Sequence, residues 1–354
     1  MSVSPFDHPF LSGLVGDAEI GACFSAEADI AEMLVFERAV AKAEAGEGLI
    51  PAEAARAIEA AVAAFNPDLD RLRAGVARDG VVVPELVKQL RAAVGAPHGA
   101  HVHFGATSQD AVDTSLALRL RHVTRFLTSR LSDLIGRLDA LNARDGAVEV
   151  MAHTRMQAAI AVPASRKILS WRDPLQRHCG SLKEIEDELA VLTFGGAAGT
   201  LDRLGDKAEA VSRRLADALD LRALPRPCHT ERDGIVEFAS WLSIASGSLG
   251  KMGQDIVLMA QNEVGEVKLA SGGGSSAMPH KVNPVGAEVL VTLARFNATL
   301  VSGMHHALVH ENERSGAAWT LEWMILPQMA VATGAGLSTA LRLIEGMEFV
   351  RHDR

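Results

Sequence analysis

Residues 235–259 read IVEFASWLSIASGSLGKMGQDIVLM. In this stretch Ile235, Phe238, Leu242, Ala245, Leu249, Met252, Ile256 and Met259 recur at steps of three and four, which keeps one apolar seam along a helix. The seam holds for about 25 residues, a rod of roughly 37 Å. Leu116, Leu120, Val123, Leu127, Leu131, Leu134, Leu138 and Leu141 make a second seam, beginning after the cap-like run Asp113, Thr114 and Ser115. Val289, Leu293, Phe296, Leu300, Met304 and Leu308 make a third, and Leu182, Ile185, Leu189 and Leu192 a shorter one. Heavy use of Ala, Leu, Glu and Arg favours helix throughout. The predicted fold class is therefore all-α, a bundle of long helices packed at shallow angles.

Outward from these seams the texture changes. Before residue 101 the helical stretches are shorter and are punctuated by Gly46, Gly48, Pro51, Pro67, Gly80, Pro84 and Pro97. Pro51 and Pro84 stand where helices can begin, and residues 52 to 64 read as a helix. The expected organisation is an N-terminal helical domain over 1–100, a long-helix domain over 101–337 and a C-terminal stub over 338–354. With 48% hydrophobic residues the chain can bury a large core without staples. Cys23, Cys179 and Cys228 are odd in number and have no CxxC spacing, so neither a disulfide framework nor a zinc knuckle is suggested and a reducing cytosol fits best. No targeting segment and no apolar run of membrane length is expected. A net charge of -9 argues against a nucleic-acid binder while leaving room for an anionic substrate in a local cationic pocket.

Polar clusters interrupt the helices. HVHFGATSQDAVDTSL places His101, His103, Thr107, Ser108, Gln109 and Asp110 ahead of the second seam, where helix N–H groups can hold carboxylates or ordinary caps can serve equally. MAHTRMQ sets His153, Arg155 and Gln157 at alternate positions in an apolar neighbourhood, and FGGAAGT, residues 194–200, is a glycine break. HHALVHENE puts His306 and His310 four apart on an expected helix with Glu311 alongside, a spacing that suits zinc but lacks the HExxH order and any implied third ligand. The richest cluster is SGGGSSAMPHKVNP, residues 271–284.

GSSAMPHKVNP resembles the signature loop of the fumarase/aspartase superfamily, in which a mobile Gly-Ser-Ser segment is followed by Met-Pro, a lysine and an asparagine. HFGATSQDAVDT, TRMQ and GGAAGT are similar, in order and spacing, to the shared regions of its adenylosuccinate lyase branch. TSQD, a non-histidine ahead of the Met-Gln pair, and ENERSGAAWTLEW resemble most the 3-carboxy-cis,cis-muconate cycloisomerases of protocatechuate degradation. Two departures stand out: Arg155 occupies a place where superfamily lyases commonly carry histidine, and the third domain of the family would need about a hundred further residues.

The resemblance implies proton transfer at a carbon beside a carboxylate, run in the addition direction to close a lactone, with no metal or organic cofactor. It implies Ser275 as the catalytic serine and Lys281 as its supporting cation and reserve proton donor. Glycines around them would give backbone freedom and bare amides to the substrate. A tricarboxylate would meet Arg155, Lys281 and Arg314. Thr107, Ser108, Gln109, Gln157, Thr200, Met278 and Asn283 would orient it, and His103 is either a neutral donor or a structural helix-end residue. The implied assembly is a homotetramer whose sites draw on several chains. Adenylosuccinate-type β-elimination and a non-catalytic structural or binding paralogue remain as alternatives; retention of Ser275 and Lys281 weighs against the latter.

Overall fold

The computed structural model describes residues 3–270, 272–274, 278 and 282–351. Short helices α1 (Ser12–Val15) and α2 (Ala18–Ala22) lead into α3 (Ala26–Gly46), α4 (Ala52–Ala64), α5 (Leu69–Asp79) and α6 (Val83–Val94). The long elements follow: α7 (Ser108–Asp145), α8 (Ser165–Leu189), α10 (Asp233–Met259), α11 (Val285–Ala307) and α12 (Ala317–Glu345), with the shorter α9 (Ala208–Leu219) between α8 and α10. Helices α7, α8, α10, α11 and α12 pack side by side as a bundle. Its core holds the whole α7 seam from Leu116 to Leu141, together with Phe238, Leu242, Ala245, Leu249, Met252, Ile256 and Met259 of α10. Pro51 and Pro84 start α4 and α6.

A second core gathers α3, α4 and α6 against the first turns of α7 and against Leu192, Phe194, Leu201, Leu204, Val211 and Leu215. The glycine break and α9 thus pack on the N-terminal helices, which presses the 194–200 turn against the start of α7. That contact positions the site.

Several expectations shift. The second long helix starts at Ser108 rather than near Asp113, because Thr107 and Asp110 form the cap; Asp113, Thr114 and Ser115 are buried inside the helix. Helix α8 begins at Ser165, well before Leu182, and carries Pro174 inside it. Two small sheets accompany the helices. Strands β1 (Glu149–Thr154) and β2 (Gln157–Pro163) form an antiparallel hairpin, and β3 (Val267–Leu269) pairs with β4 (Met347–Phe349). Helices α11 and α12 are long and apolar enough to cross a membrane by length and composition, contrary to the sequence reading. In α12 the most apolar stretch is 72% buried, as in a core helix, whereas in α11 it is only 28% buried.

Candidate active site

The site is built around the N-terminus of α7. Thr107 is the N-cap in extended conformation, and the Asp110 carboxylate one turn on accepts its backbone N–H at 2.9 Å. Asp110 does more than cap. Its two oxygens also accept the N–H groups of Gly195 at 2.9 Å and Gly196 at 3.0 Å, and His229 Nε2 lies 2.7 Å away. The amides of the glycine turn approach so closely because a Cβ on Gly195 would lie 2.6 Å from His229 and Pro227, and Gly196 has φ +66°. These bare amides therefore bind a carboxylate of the chain itself.

Gln109 points the other way and is almost fully buried. Its amide nitrogen donates to Asp113 Oδ2 at 2.9 Å and to the His229 carbonyl at 2.8 Å, while its oxygen accepts from Arg314 Nε at 3.1 Å. Arg314 also donates to Thr107 Oγ1 and to the Gly196 carbonyl, each at 3.2 Å. Among the described residues the hydrogen-bond partners of this exposed guanidinium are neutral, so its charge stays available. A cavity of about 990 Å³ opens here, lined by Thr107, Ser108, Gln109, Arg314, Trp319 and Trp323 among others.

Beneath Gln109 lies a charged layer. Arg232 joins Asp113 at 2.7 Å to Glu322 at 2.5 Å, and the Trp319 indole donates to Asp113 at 2.9 Å. Burial alone would lower the Arg232 pKa, but the Asp113 and Glu322 carboxylates outweigh it and raise it. On the far side of the cap, His103 (φ +59°) holds Glu37 at 2.5 Å. Burial works against its protonation, yet the Glu37 carboxylate raises the imidazole above its ordinary range. Burial and Glu37 also push the neighbouring Glu44 up to about 9, so that it is protonated at neutral pH.

The chain thus brings together Thr107, Ser108, Gln109 and Arg314, with His103 bonded into the supporting turn. Other candidate residues stand elsewhere. Arg155 and Met156 form the two-residue tip of the β1–β2 hairpin, both at positive φ (48° and 65°), and Gln157 follows Thr154 across it. Arg155, Met156 and Gln157 are exposed and lie outside the cavity lining. Thr200 bonds Asp202 at 2.8 Å and lines a separate recess with Gly199 and Arg226. Asn283 exchanges two 2.9 Å backbone hydrogen bonds with Gly273, closing the neck of the signature loop. There Gly272 is dictated by packing, since a Cβ would lie 2.0 Å from Val282. Met278 is 44% exposed, whereas Ser275 and Lys281 lie outside the described residues.

The paired-histidine reading loses its geometry, because α11 stops at Ala307 and leaves His310 outside the helix that carries His306. Among the described residues no group of three or more His, Cys, Asp or Glu side chains is arranged to hold a metal. Sequence reasoning missed Asp113, His229, Arg232 and Glu322 as partners of the site. Asp110 did carry a local signal, an acid three residues after a threonine cap. His229 and Arg232 carry none, being about 120 residues from their partners.

A family described as lyase matches residues 20–299. A 3-carboxy-cis,cis-muconate cycloisomerase of Pseudomonas aeruginosa is 41% identical over 337 residues, covering 94% of this chain and 73% of that protein. The crystal structure of the 3-carboxy-cis,cis-muconate lactonizing enzyme from Pseudomonas putida superposes with a TM-score of 0.91 at 39% identity, over 96% of this chain and 77% of that one. An adenylosuccinate lyase of Pyrococcus abyssi is 29% identical, covering 99% of this chain and 77% of that protein.

Proposed function

The chain belongs to the lyase family of the fumarase/aspartase superfamily, and on that premise we propose that it is a 3-carboxy-cis,cis-muconate cycloisomerase. The observation that carries the reading is 41% identity to a cycloisomerase over 94% of the chain. In the reaction one substrate carboxylate oxygen adds to a carbon of the conjugated diene and closes a five-membered lactone. The displaced electron pair moves onto the carbon beside a second carboxylate, and an enzyme acid protonates that carbon. Nothing is oxidised or reduced. Ser275 is the proposed proton donor, supported by Lys281, and the developing aci-carboxylate needs cations and N–H groups.

Arg314 suits that need, since its neutral partners orient it without cancelling its charge. Thr107, Ser108 and Gln109 line the same cavity. Arg155, Gln157, Met278, Thr200 and Asn283 complete the proposed contacts, and their separation from this cavity within one chain favours a homotetramer with sites shared between subunits. Helix α11, long and apolar yet 28% buried in its most apolar stretch, favours the same assembly. The proposal places the enzyme in the cytoplasm, in aromatic catabolism, where the unpaired Cys23, Cys179 and Cys228 are at home.

The direct test mixes purified protein with 3-carboxy-cis,cis-muconate and follows loss of the conjugated-diene absorbance. Adenylosuccinate is run in parallel. Turnover of the muconate alone is expected; turnover of adenylosuccinate alone transfers the site to β-elimination.

A further inference from the structure

Resting on that reading, we infer that Asp113 is a positioning residue that sets the substrate-carboxylate clamp by fixing which way the Gln109 amide faces. Gln109 has two N–H donors and one oxygen acceptor. Both donors are taken, one by the Asp113 carboxylate at 2.9 Å and one by the His229 carbonyl at 2.8 Å, groups that can only accept. The oxygen is therefore the end left for Arg314, whose Nε donates to it at 3.1 Å. If the amide turned over, two N–H groups would face the guanidinium and its anchoring bond would become a repulsion. The buried Asp113 carboxylate, together with the His229 carbonyl, thus fixes which end of Gln109 meets Arg314.

What holds Asp113 in that role is equally specific. Arg232 Nη1 lies 2.7 Å from Oδ2, the oxygen that also receives Gln109, and the Trp319 indole donates to Oδ1 at 2.9 Å. Arg232 in turn is bound by both Glu322 oxygens, at 2.5 and 3.0 Å. Asp113, Arg232 and Glu322 are buried and lie outside the lining of the cavity beside Arg314, which only Trp319 of this layer reaches, so the carboxylate bears on Arg314 through Gln109. Arg314 is anchored instead by three neutral oxygens, those of Gln109, Thr107 and Gly196. A carboxylate in the Gln109 position would anchor it too, but would cancel the charge meant for substrate.

The test is a double-mutant cycle on the full-length enzyme, read as KM and kcat for 3-carboxy-cis,cis-muconate and as calorimetric affinity for tricarballylate, an unreactive tricarboxylate. Asp113→Asn, close in volume, is expected to raise KM and the tricarballylate Kd about tenfold or more, with a smaller change in kcat. In an Arg314→Gln background the same substitution is expected to add little, because the residue it positions is gone. Additive effects overturn the inference, as does unchanged affinity in Asp113→Asn. Should that variant not fold, Gln109→Glu decides: it is expected to weaken tricarballylate binding despite the favourable Arg314 contact, and undiminished binding overturns the role assigned to a neutral acceptor. Failure of the wild type to turn over the muconate, with the tricarballylate cycle coupled as stated, removes the substrate assignment and leaves the positioning role standing.

Discussion

The start of α7 and the tip of the β1–β2 hairpin both carry residues of the proposed site, yet they are built in opposite ways. At α7, Asp110 alone joins the cap, the glycine turn and His229, and it is completely buried. At the hairpin, Arg155 and Met156 stand exposed in the turn between two strands, and Met156 is 70% accessible. β2 extends the contrast, since Ala158, Ala159, Ile160 and Ala161 are all exposed. A clamp made within one chain can be held by its own core. A tip that projects with apolar flanks gains a fixed position only against another surface, which is the physical argument for a site shared between copies.

The strongest way to break this comparison is by subunit exchange. Arg155→Met and Ser275→Ala are each expected to lose most turnover, by about a hundredfold or more for a lost proton donor. Mixed under conditions that exchange subunits, the two inactive proteins are expected to recover part of the activity, since some sites then receive both intact regions. Confirmed exchange with no recovery returns the hairpin to its own chain's site and ends the shared-site proposal.

A second measurement sharpens the α7 side. Asp110→Ala leaves the N–H groups of Thr107, Gly195 and Gly196 and the His229 ring without their acceptor in a buried setting. It is expected to cost about 3 kcal/mol or more, read as a lower urea midpoint at unchanged slope. A loss below about 1 kcal/mol would mean that water can take the place of the carboxylate and that the cap is looser than its geometry.

The same contrast explains what could be read from the chain beforehand. Long seams were legible because periodicity is local: every α7 residue of the seam from Leu116 to Leu141 is buried. Thr107, Ser108, Gln109 and Arg314 could be named as site candidates through a resemblance in motif, but their mutual geometry could not be read. That geometry depends on His229 and Arg232, from the segment just ahead of α10, and on Glu322 of α12, all far along the chain. The hairpin gave no local warning. Its strands are rich in Ala rather than alternating, and its turn is Arg-Met where Asn-Gly would be the usual signal. Asp113, Thr114 and Ser115 look like a cap but lie inside α7, because the Thr107 and Asp110 pair competes for the same role and also gains the glycine turn.

The smallest expected effect tests the hairpin itself. A two-residue turn with both residues at positive φ suits Asn-Gly, and side chains larger than Asn in that conformation cost free energy. Arg155 at φ 48° and Met156 at φ 65° both bear that cost, although only the arginine has a proposed task. Met156→Gly should relieve strain at the second position while loosening the unfolded chain, so the net gain is expected to be only about 0.5 kcal/mol. Hydrogen exchange at the hairpin amides, compared with the urea midpoint, would locate that gain in the turn. Turnover should be nearly unchanged, because the cation remains. Arg155→Gly offers similar backbone relief and removes the cation, so it is expected to match the stability gain and lose the activity. If instead Met156→Gly destabilises by more than about 1 kcal/mol, the methionine is packing against another surface in the assembled protein, and the tip is held by contact at both of its residues rather than by Arg155 alone.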